Sequence, residues 1–289
     1  MQEHNSCLLS GSKDLVPIKG YQGLVKSRPL GFVFHKRIPT VEELEAHYAK
    51  YSRNDYLSPL TVARYNDLLD SFEPHRKTGR ILDLGCGVGF FLEVAKKRGW
   101  EVYGTEFSDK SIEMCQNKGI EMKQGKTHIS MFPAEYFDVV TSFEVIEHIN
   151  HPLEEMACVV HFMRPGGLFY CTTPNFNAIE RYKLKSAYRV ICYPEHLSYY
   201  TPKTFHYLMK KFALKKVFLQ TTGISISTLF GDKIAESAPG RVSSESKDEK
   251  LREALDSGGI AKFIKSFLNG ILSFLGVGNS LKASYVKPL

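Results

Sequence analysis

The spacing of apolar positions changes character several times along the chain. Over residues 1–40, short extended pieces are interrupted by Gly11, Pro17, Gly20, Gly23, Pro29 and Gly31, the residue types that punctuate turns. Over 41–73 the period becomes helical, through Leu44 and Tyr48 and then Val62, Tyr65, Leu68 and Leu69,. Thr40 and Glu43 have the spacing of a capping box at its start. After the polar joint His75–Gly79, strand-like and helix-like stretches alternate. Strands are predicted at 80–84, 101–105, 120–123, 137–142, 167–173 and 213–222, and helices near 90–98, 109–117, 152–162 and 201–210. This rhythm predicts an α/β fold with a parallel sheet covered on both faces.

The pattern breaks again at Ser237–Lys250, a polar linker. Residues 260–275 then place Ile260, Phe263, Ile264, Phe267, Leu268, Ile271, Leu272 and Leu275 on one helical stripe,. A core-packed or lid helix is preferred over one making peripheral membrane contact, because Gly270 and only two lysines weaken an interfacial stripe. Residues 280–287 alternate like a final strand.

Composition narrows the class. The chain has 289 residues, 43% hydrophobic, which suits one large domain with appendages and excludes wholesale disorder. No run reaches the roughly 18–20 apolar residues of a spanning helix, and the N-terminus lacks a signal-peptide pattern. Six cysteines (7, 86, 115, 158, 171 and 192) include no Cys-x-x-Cys pair, so reduced, mostly buried thiols in a cytoplasmic protein are expected. The net charge is +7, and the window Phe176–Lys216, with nine basic and two acidic residues, accounts for all of it. That is a solvated basic face or a surface for an anionic small-molecule substrate. One local cluster is too modest to imply a specific nucleic-acid partner.

Candidate chemistry concentrates after the strand 80–84. Asp83-Leu-Gly-Cys-Gly-Val-Gly89 ends a strand and opens a helix, and Glu106 lies 21 residues beyond Gly85 at the end of the next strand. Glycines there permit positive φ and close approach of a ligand, and the acid can accept both hydroxyls of a ribose. A dinucleotide turn, G-x-G-x-x-G, would need glycine at position 90, where Phe90 stands,. S-adenosylmethionine carries a cationic sulfonium and an α-amino group, which suit a turn beside Asp83.

Three motifs in order, Asp83-Leu-Gly-Cys-Gly-Val-Gly, Phe137-Asp-Val-Val and Arg164-Pro-Gly-Gly-Leu-Phe-Tyr, resemble those of class I S-adenosylmethionine-dependent methyltransferases. The resemblance implies a Rossmann-like sheet of seven strands with the last antiparallel, supplied here by 280–287. It implies S-adenosyl-L-methionine as cofactor, with Gly85, Gly87 and Gly89 at the methionine end, Glu106 on the ribose and Phe107 stacked on adenine. Asp83, Cys86 and Phe143 complete that set. The chain departs from the family at Lys126, where many members carry an acid after the third-strand glycine.

Glu144-Val-Ile-Glu147-His148 would place two carboxylates and an imidazole on one face of a helical turn. The pattern resembles ubiquinone-biosynthesis O-methyltransferases and small-RNA 3′-terminal 2′-O-methyltransferases, which hold a divalent cation with such residues. Glu195-His196-Leu-Ser-Tyr-Tyr supports the first branch. A metal-free site is preferred, with His148 or His196 as general base and Glu147 orienting the imidazole. A divalent cation on Glu144, Glu147, His148 and His196 is the alternative.

The N-terminus resembles the zinc ribbon that precedes the methyltransferase domain in some sugar and surface-polysaccharide methyltransferases. Its four ligand positions hold Cys7, Ser10, Ser27 and Leu30. One thiol cannot make a structural zinc site, so a metal-free remnant packed by Leu24, Val25, Phe32 and Phe34 is expected. The division read from sequence is this ribbon-like appendage (1–40), a helical connector (41–79), the methyltransferase core (80–223), the linker and helix (224–279) and a final strand (280–289). The substrate would sit under a cap from 176–200 and 224–275, where Tyr182, Tyr188, Tyr193, Tyr199 and Tyr200 with the nearby basic residues suggest a substrate having a flat or apolar part plus an acidic group. A sugar or surface-glycan precursor is preferred to a phenolic, quinone-like acceptor. A non-catalytic scaffold and an RNA 2′-O-methyltransferase are the rival readings.

Overall fold

The structure, a computed structural model, describes residues 2–48, 57–224 and 259–289. The linker 237–250 lies outside the described residues. Three short strands come first, β1 (Leu15–Pro17), β2 (Leu24–Ser27) and β3 (Val33–His35), then α1 (Val41–Tyr48) and α2 (Pro59–Phe72). Alternation follows as β4 (Arg80–Leu84), α3 (Phe90–Lys97), β5 (Glu101–Glu106), α4 (Asp109–Asn117), β6 (Glu121–Gln124), β7 (Phe137–Phe143), α5 (Pro152–Phe162) and β8 (Met163–Pro174). The chain continues through α6 (Ile179–Leu184), β9 (Ser198–Tyr199), α7 (Pro202–Lys211), β10 (Lys215–Thr222), α8 (Gly259–Leu275) and β11 (Ser280–Val286).

These elements sort into two compact units. One comprises Leu57–Thr173, Phe205–Leu219 and Lys282–Leu289; the other comprises Met1–Tyr56, Pro174–Thr204 and Gln220–Leu281. Residues 174–204, placed by sequence with the core, group instead with the N-terminal segment, because β9 pairs antiparallel with β3. The basic window 176–216 is thereby divided between the units.

The larger sheet has the order β10-β11-β8-β7-β4-β5-β6, with β11 antiparallel, as expected of the family. β4 pairs in parallel with both β5 and β7, and the connection reverses direction there. That reversal opens a crevice at the carboxyl ends of β4 and β5, the place where such sheets bind ligands. Central strands are covered on both faces, which is why Ile81, Leu82, Val139 and Val140 form continuous apolar runs and are fully buried,. Phe72, Phe91, Leu92, Trp100, Ile120 and Tyr170 fill the same core.

At the opposite end, the Asp138 carboxylate accepts the N–H groups of Lys77, Thr78 and Gly79 at 2.8, 2.7 and 2.7 Å, and also the Arg164 guanidinium. Arg164 donates onward to the carbonyls of His75 and Pro165. Burial would raise the Asp138 carboxyl, but Arg164 and the backbone donors outweigh it and hold it below the usual range. A Cβ on Gly167 would meet the Arg164 carbonyl oxygen at 2.8 Å, so the motif glycine keeps this joint tight.

In the other unit, β1-β2-β3-β9 form a small sheet. Two turns before and within it share one hydrogen-bond pattern. Gly11 N–H donates to Cys7 O while Cys7 N–H donates to Ser12 O; Gly31 N–H donates to Ser27 O while Ser27 N–H donates to Phe32 O. Phe32 packs on Phe34 and Tyr200, and Tyr199 joins Leu24, Val33 and Phe176. Tyr188, Tyr199 and Tyr200 are buried, and Tyr199 and Tyr200 pack in the core of this unit. Tyr182 remains exposed and donates to Asn177 Oδ1. In α8, Leu272 is buried and its carbonyl accepts Thr221 Oγ1–H at 2.8 Å, whereas Phe267, Phe274 and Leu275 are exposed. Among the described residues, no helix is long and apolar enough to cross a membrane. The Thr40–Glu43 box is present in both directions, at 3.0 and 3.3 Å.

Candidate functional site

The turn after β4 is held almost entirely by its own fold. Gly85 N–H donates to Thr105 Oγ1 at 3.1 Å, Cys86 N–H to Thr105 O at 3.0 Å, Gly87 N–H to Glu106 Oε2 at 3.0 Å, and Gly89 N–H to Cys86 O at 3.0 Å. Gly85, Gly87 and Gly89 all have positive φ, at +64, +59 and +75°. A Cβ on Gly85 would lie 2.7 Å from Val145, and one on Gly89 would lie 2.7 Å from Ile120 and 2.8 Å from Cys115. The glycines are thus required by conformation and by close packing together.

This arrangement discriminates between ligands. A diphosphate at such a turn needs backbone N–H donors, and here those of Gly85, Cys86, Gly87 and Gly89 are all bonded within the protein. The Glu106 carboxylate, which also accepts the N–H groups of Phe107 and Ser108 at 2.9 and 3.3 Å, lines the crevice with negative charge. An ionised carboxylate offers about four lone-pair positions, and three are taken by these N–H groups, so a ribose hydroxyl would share or replace a loop contact. Phe107, beside it, is 67% exposed, and its ring is accessible for stacking. Cys86 points the other way: its Sγ lies 4.0 Å from Cys115 Sγ and 4.0 Å from Met122 Sδ. Contact with Cys115, then burial, push its thiol far up.

Asp83, also buried, accepts Thr141 Oγ1–H at 2.8 Å. Burial pushes its carboxyl up to about 7; Thr141 opposes the rise and the Glu106 charge adds to it. The Asp83 and Glu106 carboxyls are close enough for their charges to interact, surroundings that fit a ligand bringing positive charge. Phe143 packs against Phe91, Tyr170 and Tyr65, an aromatic cluster at the end of β7. Lys126, the departure from the family pattern, pairs with Glu154 at 3.0 Å, and Gly125 N–H donates to Glu106 O.

The Glu144–His148 segment is not one helical face. Glu144 sits at φ +53° and only Ile146–His148 form a 3-10 turn, so the helical spacing is lost at Glu144, while Glu147 and His148 stay close together. Glu147 turns inward and accepts Thr173 Oγ1–H at 2.9 Å. His148 is half-buried, with its Nε2 3.9 Å from Glu147 Oε1, an electrostatic contact too long for a hydrogen bond,. Glu144 touches solvent, yet the protein crowded around it raises its carboxyl, against the pull of Thr172 and Lys282. His196 belongs to the other unit, where its Nδ1 lies 2.7 Å from Val190 O. That contact requires the hydrogen on Nδ1 and leaves the lone pair on Nε2. Burial lowers its pKa, partly offset by the Val190 carbonyl and Glu195.

Reasoning from sequence missed Thr105, Thr141 and Val145. Their signal is only that of β-branched residues in or after strands; Thr105 immediately before Glu106 is the sole local hint.

A family profile described as a methyltransferase domain matches residues 56–218, more than half of the chain. The ubiquinone biosynthesis O-methyltransferase of Roseobacter denitrificans is 30% identical over 166 residues, 55% of this chain and 64% of that protein. The chain therefore spans less than two thirds of that relative's length. A methyltransferase dependent on S-adenosylmethionine from Archaeoglobus fulgidus superposes with TM-score 0.54 at 21% identity, covering 79% of this chain and 93% of that one. Phosphoethanolamine N-methyltransferase 2 of Haemonchus contortus, solved with S-adenosyl-L-methionine, gives 0.51 at 15% identity, covering 82% and 55%. With sheet order, glycine turn and ordered motifs in agreement, the chain belongs to the methyltransferase domain family.

Proposed function

We propose that this chain uses S-adenosyl-L-methionine to methylate an oxygen atom of a small-molecule acceptor. The observation that carries the reading is the turn 85–89, whose Gly85, Cys86, Gly87 and Gly89 N–H groups bond within the fold, with Asp83 and Glu106 beside it: surroundings suited to a cationic nucleoside. When bound, the cofactor supplies an electrophilic methyl group on a positively charged sulfur. Glu106 accepts the ribose hydroxyls, Phe107 covers one face of the adenine, and Asp83 contributes a negative field for the charged end. Lys126 leaves adenine recognition to backbone groups. Because the sulfonium is a good leaving group, the protein's task is alignment and removal of the acceptor proton. His148 and His196 are the candidate bases, with Glu147 as a positioning residue behind His148.

The acceptor class follows the O-methyltransferase relative: a phenolic, quinone-like compound. The paired turns at Cys7–Ser12 and Ser27–Phe32 favour a second reading, a sugar or surface-glycan precursor, since they support a ribbon-like appendage that has lost its metal. A cytoplasmic setting suits six thiols that form no disulfide. The test is calorimetry with S-adenosylhomocysteine, followed by methyl transfer from labelled cofactor into a small-molecule extract with products identified by mass. Absence of binding would favour the scaffold reading. Labelled RNA in place of a small product would favour the nucleic-acid reading. Turnover abolished by chelator and restored by a divalent cation in Cys192→Ser as in wild type would replace the metal-free site with the Glu144, Glu147, His148 and His196 alternative.

A further inference from the structure

We propose that His47, Cys192 and Glu195 bind a zinc ion, in a site made wholly within the N-terminal unit. His47 lies in the last turn of α1, and Cys192 and Glu195 are three residues apart in the segment leading to β9. The Nε2 atom of His47 is 3.2 Å from Glu195 Oε2, and Cys192 Sγ is 3.5 Å from the same oxygen. All three donor atoms lie within 4.8 Å of one another. Tetrahedral zinc, with bonds of about 2.0 Å to nitrogen and oxygen and about 2.3 Å to sulfur, separates N from O by about 3.3 Å and S from O by about 3.5 Å. The two observed separations match those values to within about 0.1 Å,. An imidazole, a thiolate and a carboxylate also form a borderline donor set that zinc favours over calcium or magnesium.

Local hydrogen bonds hold the segments that carry the three residues. The Thr40–Glu43 box fixes the start of α1, and His196 N–H donates to Cys192 O at 2.7 Å across the turn that presents Cys192 and Glu195. Glu195 is largely shielded while His47 is a quarter exposed, at 12% and 26% of their side chains, so an ion has a way in. Binding forms a sulfur–zinc bond and releases the Cys192 thiol proton to solvent; zinc keeps its charge and no oxidant is needed. Three protein ligands leave the fourth position to water. The ion would clamp α1 to the segment carrying His196, a role separate from the metal alternative at Glu144–His148.

The same spacing would also serve a plain hydrogen-bonded trio, and spectroscopy separates the two. The full chain is stripped with chelator and titrated with cobalt(II), then zinc. The expected result is one equivalent of cobalt with a near-ultraviolet thiolate-to-cobalt band, bleached by zinc, and a rise in Tm with zinc. Cys192→Ser should abolish the band, and His47→Ala should weaken cobalt binding by at least about tenfold. Retained S-adenosylhomocysteine binding and an unchanged circular dichroism spectrum would show that these variants fold. His148→Ala should keep the band. A wild-type protein that takes up no cobalt, or a band that survives Cys192→Ser, would overturn the proposal. So would a band that disappears in His148→Ala alone.

Discussion

Two buried aspartates on neighbouring parallel strands sit at opposite ends of the sheet and are treated in opposite ways. Asp138, at the start of β7, accepts three backbone N–H groups and a guanidinium, and its carboxyl is held below the usual range. Asp83, at the end of β4, has one hydroxyl partner in Thr141 and a second carboxylate nearby, and is pushed up to about 7. The first charge is fully compensated within the fold, and its work is to close the joint His75–Gly79. The second is left short of positive charge, a deficit that a cationic ligand can fill. Motif residues that look alike in sequence thus divide into one that builds and one that waits.

The largest effect is expected where compensation is complete. Asp138→Ala leaves Arg164 buried without its partner and three N–H groups without an acceptor, and should cost about 3–5 kcal/mol. For a domain of this size that lowers Tm by roughly 10 °C, measurable by calorimetry. The wild-type contribution is present above the unfolded carboxylate pKa and is lost as pH falls through the lower folded value, so the variant's deficit should shrink in acid. Next in size, Glu106→Gln replaces half of a carboxylate that holds the turn and the ribose. S-adenosylhomocysteine should bind about 10–100-fold more weakly by titration calorimetry, and Tm should fall by about a few degrees as the turn loses an acceptor. Equal affinity would remove Glu106 from the site.

This contrast also marks what could be read in advance. Element order and bounds around the site were legible because periodicity and turn chemistry agree there: α4 and α5 occupy 109–117 and 152–162 as predicted. Glu106 was legible because a carboxylate at the end of the strand after a glycine turn has few other uses. The Glu144–His148 face was not, since the left-handed Glu144 breaks the helical spacing and nothing local announces it. Nor were the buried tyrosines of 188–200. Their partners, Leu24, Val33 and Phe32, lie more than 150 residues earlier, and a two-residue strand such as β9 carries no period. Thr141 escaped notice because a threonine in a central strand reads as a β-former until its hydroxyl is seen on Asp83.

Asp83→Asn tests the deficit itself. A carboxyl raised from about 3.8 to about 7 carries a penalty of roughly 4 kcal/mol above pH 7, and an amide with imperfect partners returns about 2 of that. The variant should therefore be about 2 kcal/mol more stable at pH 8. As pH falls from 7 towards 4 the native wild-type carboxyl takes up the proton and the unfolded one does not yet, so the gap should close about midway and then reverse, leaving wild type about 2 kcal/mol the more stable. Cofactor affinity should move the other way, since the field that favours the cation is gone.

Thr141→Val is the mildest change and the sharpest. The side chains are nearly equal in volume, and Thr141 is fully buried, so packing is kept while one hydrogen bond to Asp83 Oδ1 is removed. That bond stabilises the ionised form, so its loss should raise the Asp83 carboxyl further and cost about 1 kcal/mol. Binding of a cationic ligand favours ionised Asp83 and expels its proton. In wild type, S-adenosylmethionine affinity should climb as pH rises through about 7 and level off above it. In Thr141→Val the climb should be displaced to higher pH, leaving affinity a few-fold lower at pH 7 and nearly equal at pH 9. Titrations in two buffers of different ionisation enthalpy would count the protons released. A pH profile unmoved by this substitution would show that Asp83 is no more than buried, and that the two aspartates differ in surroundings without differing in purpose.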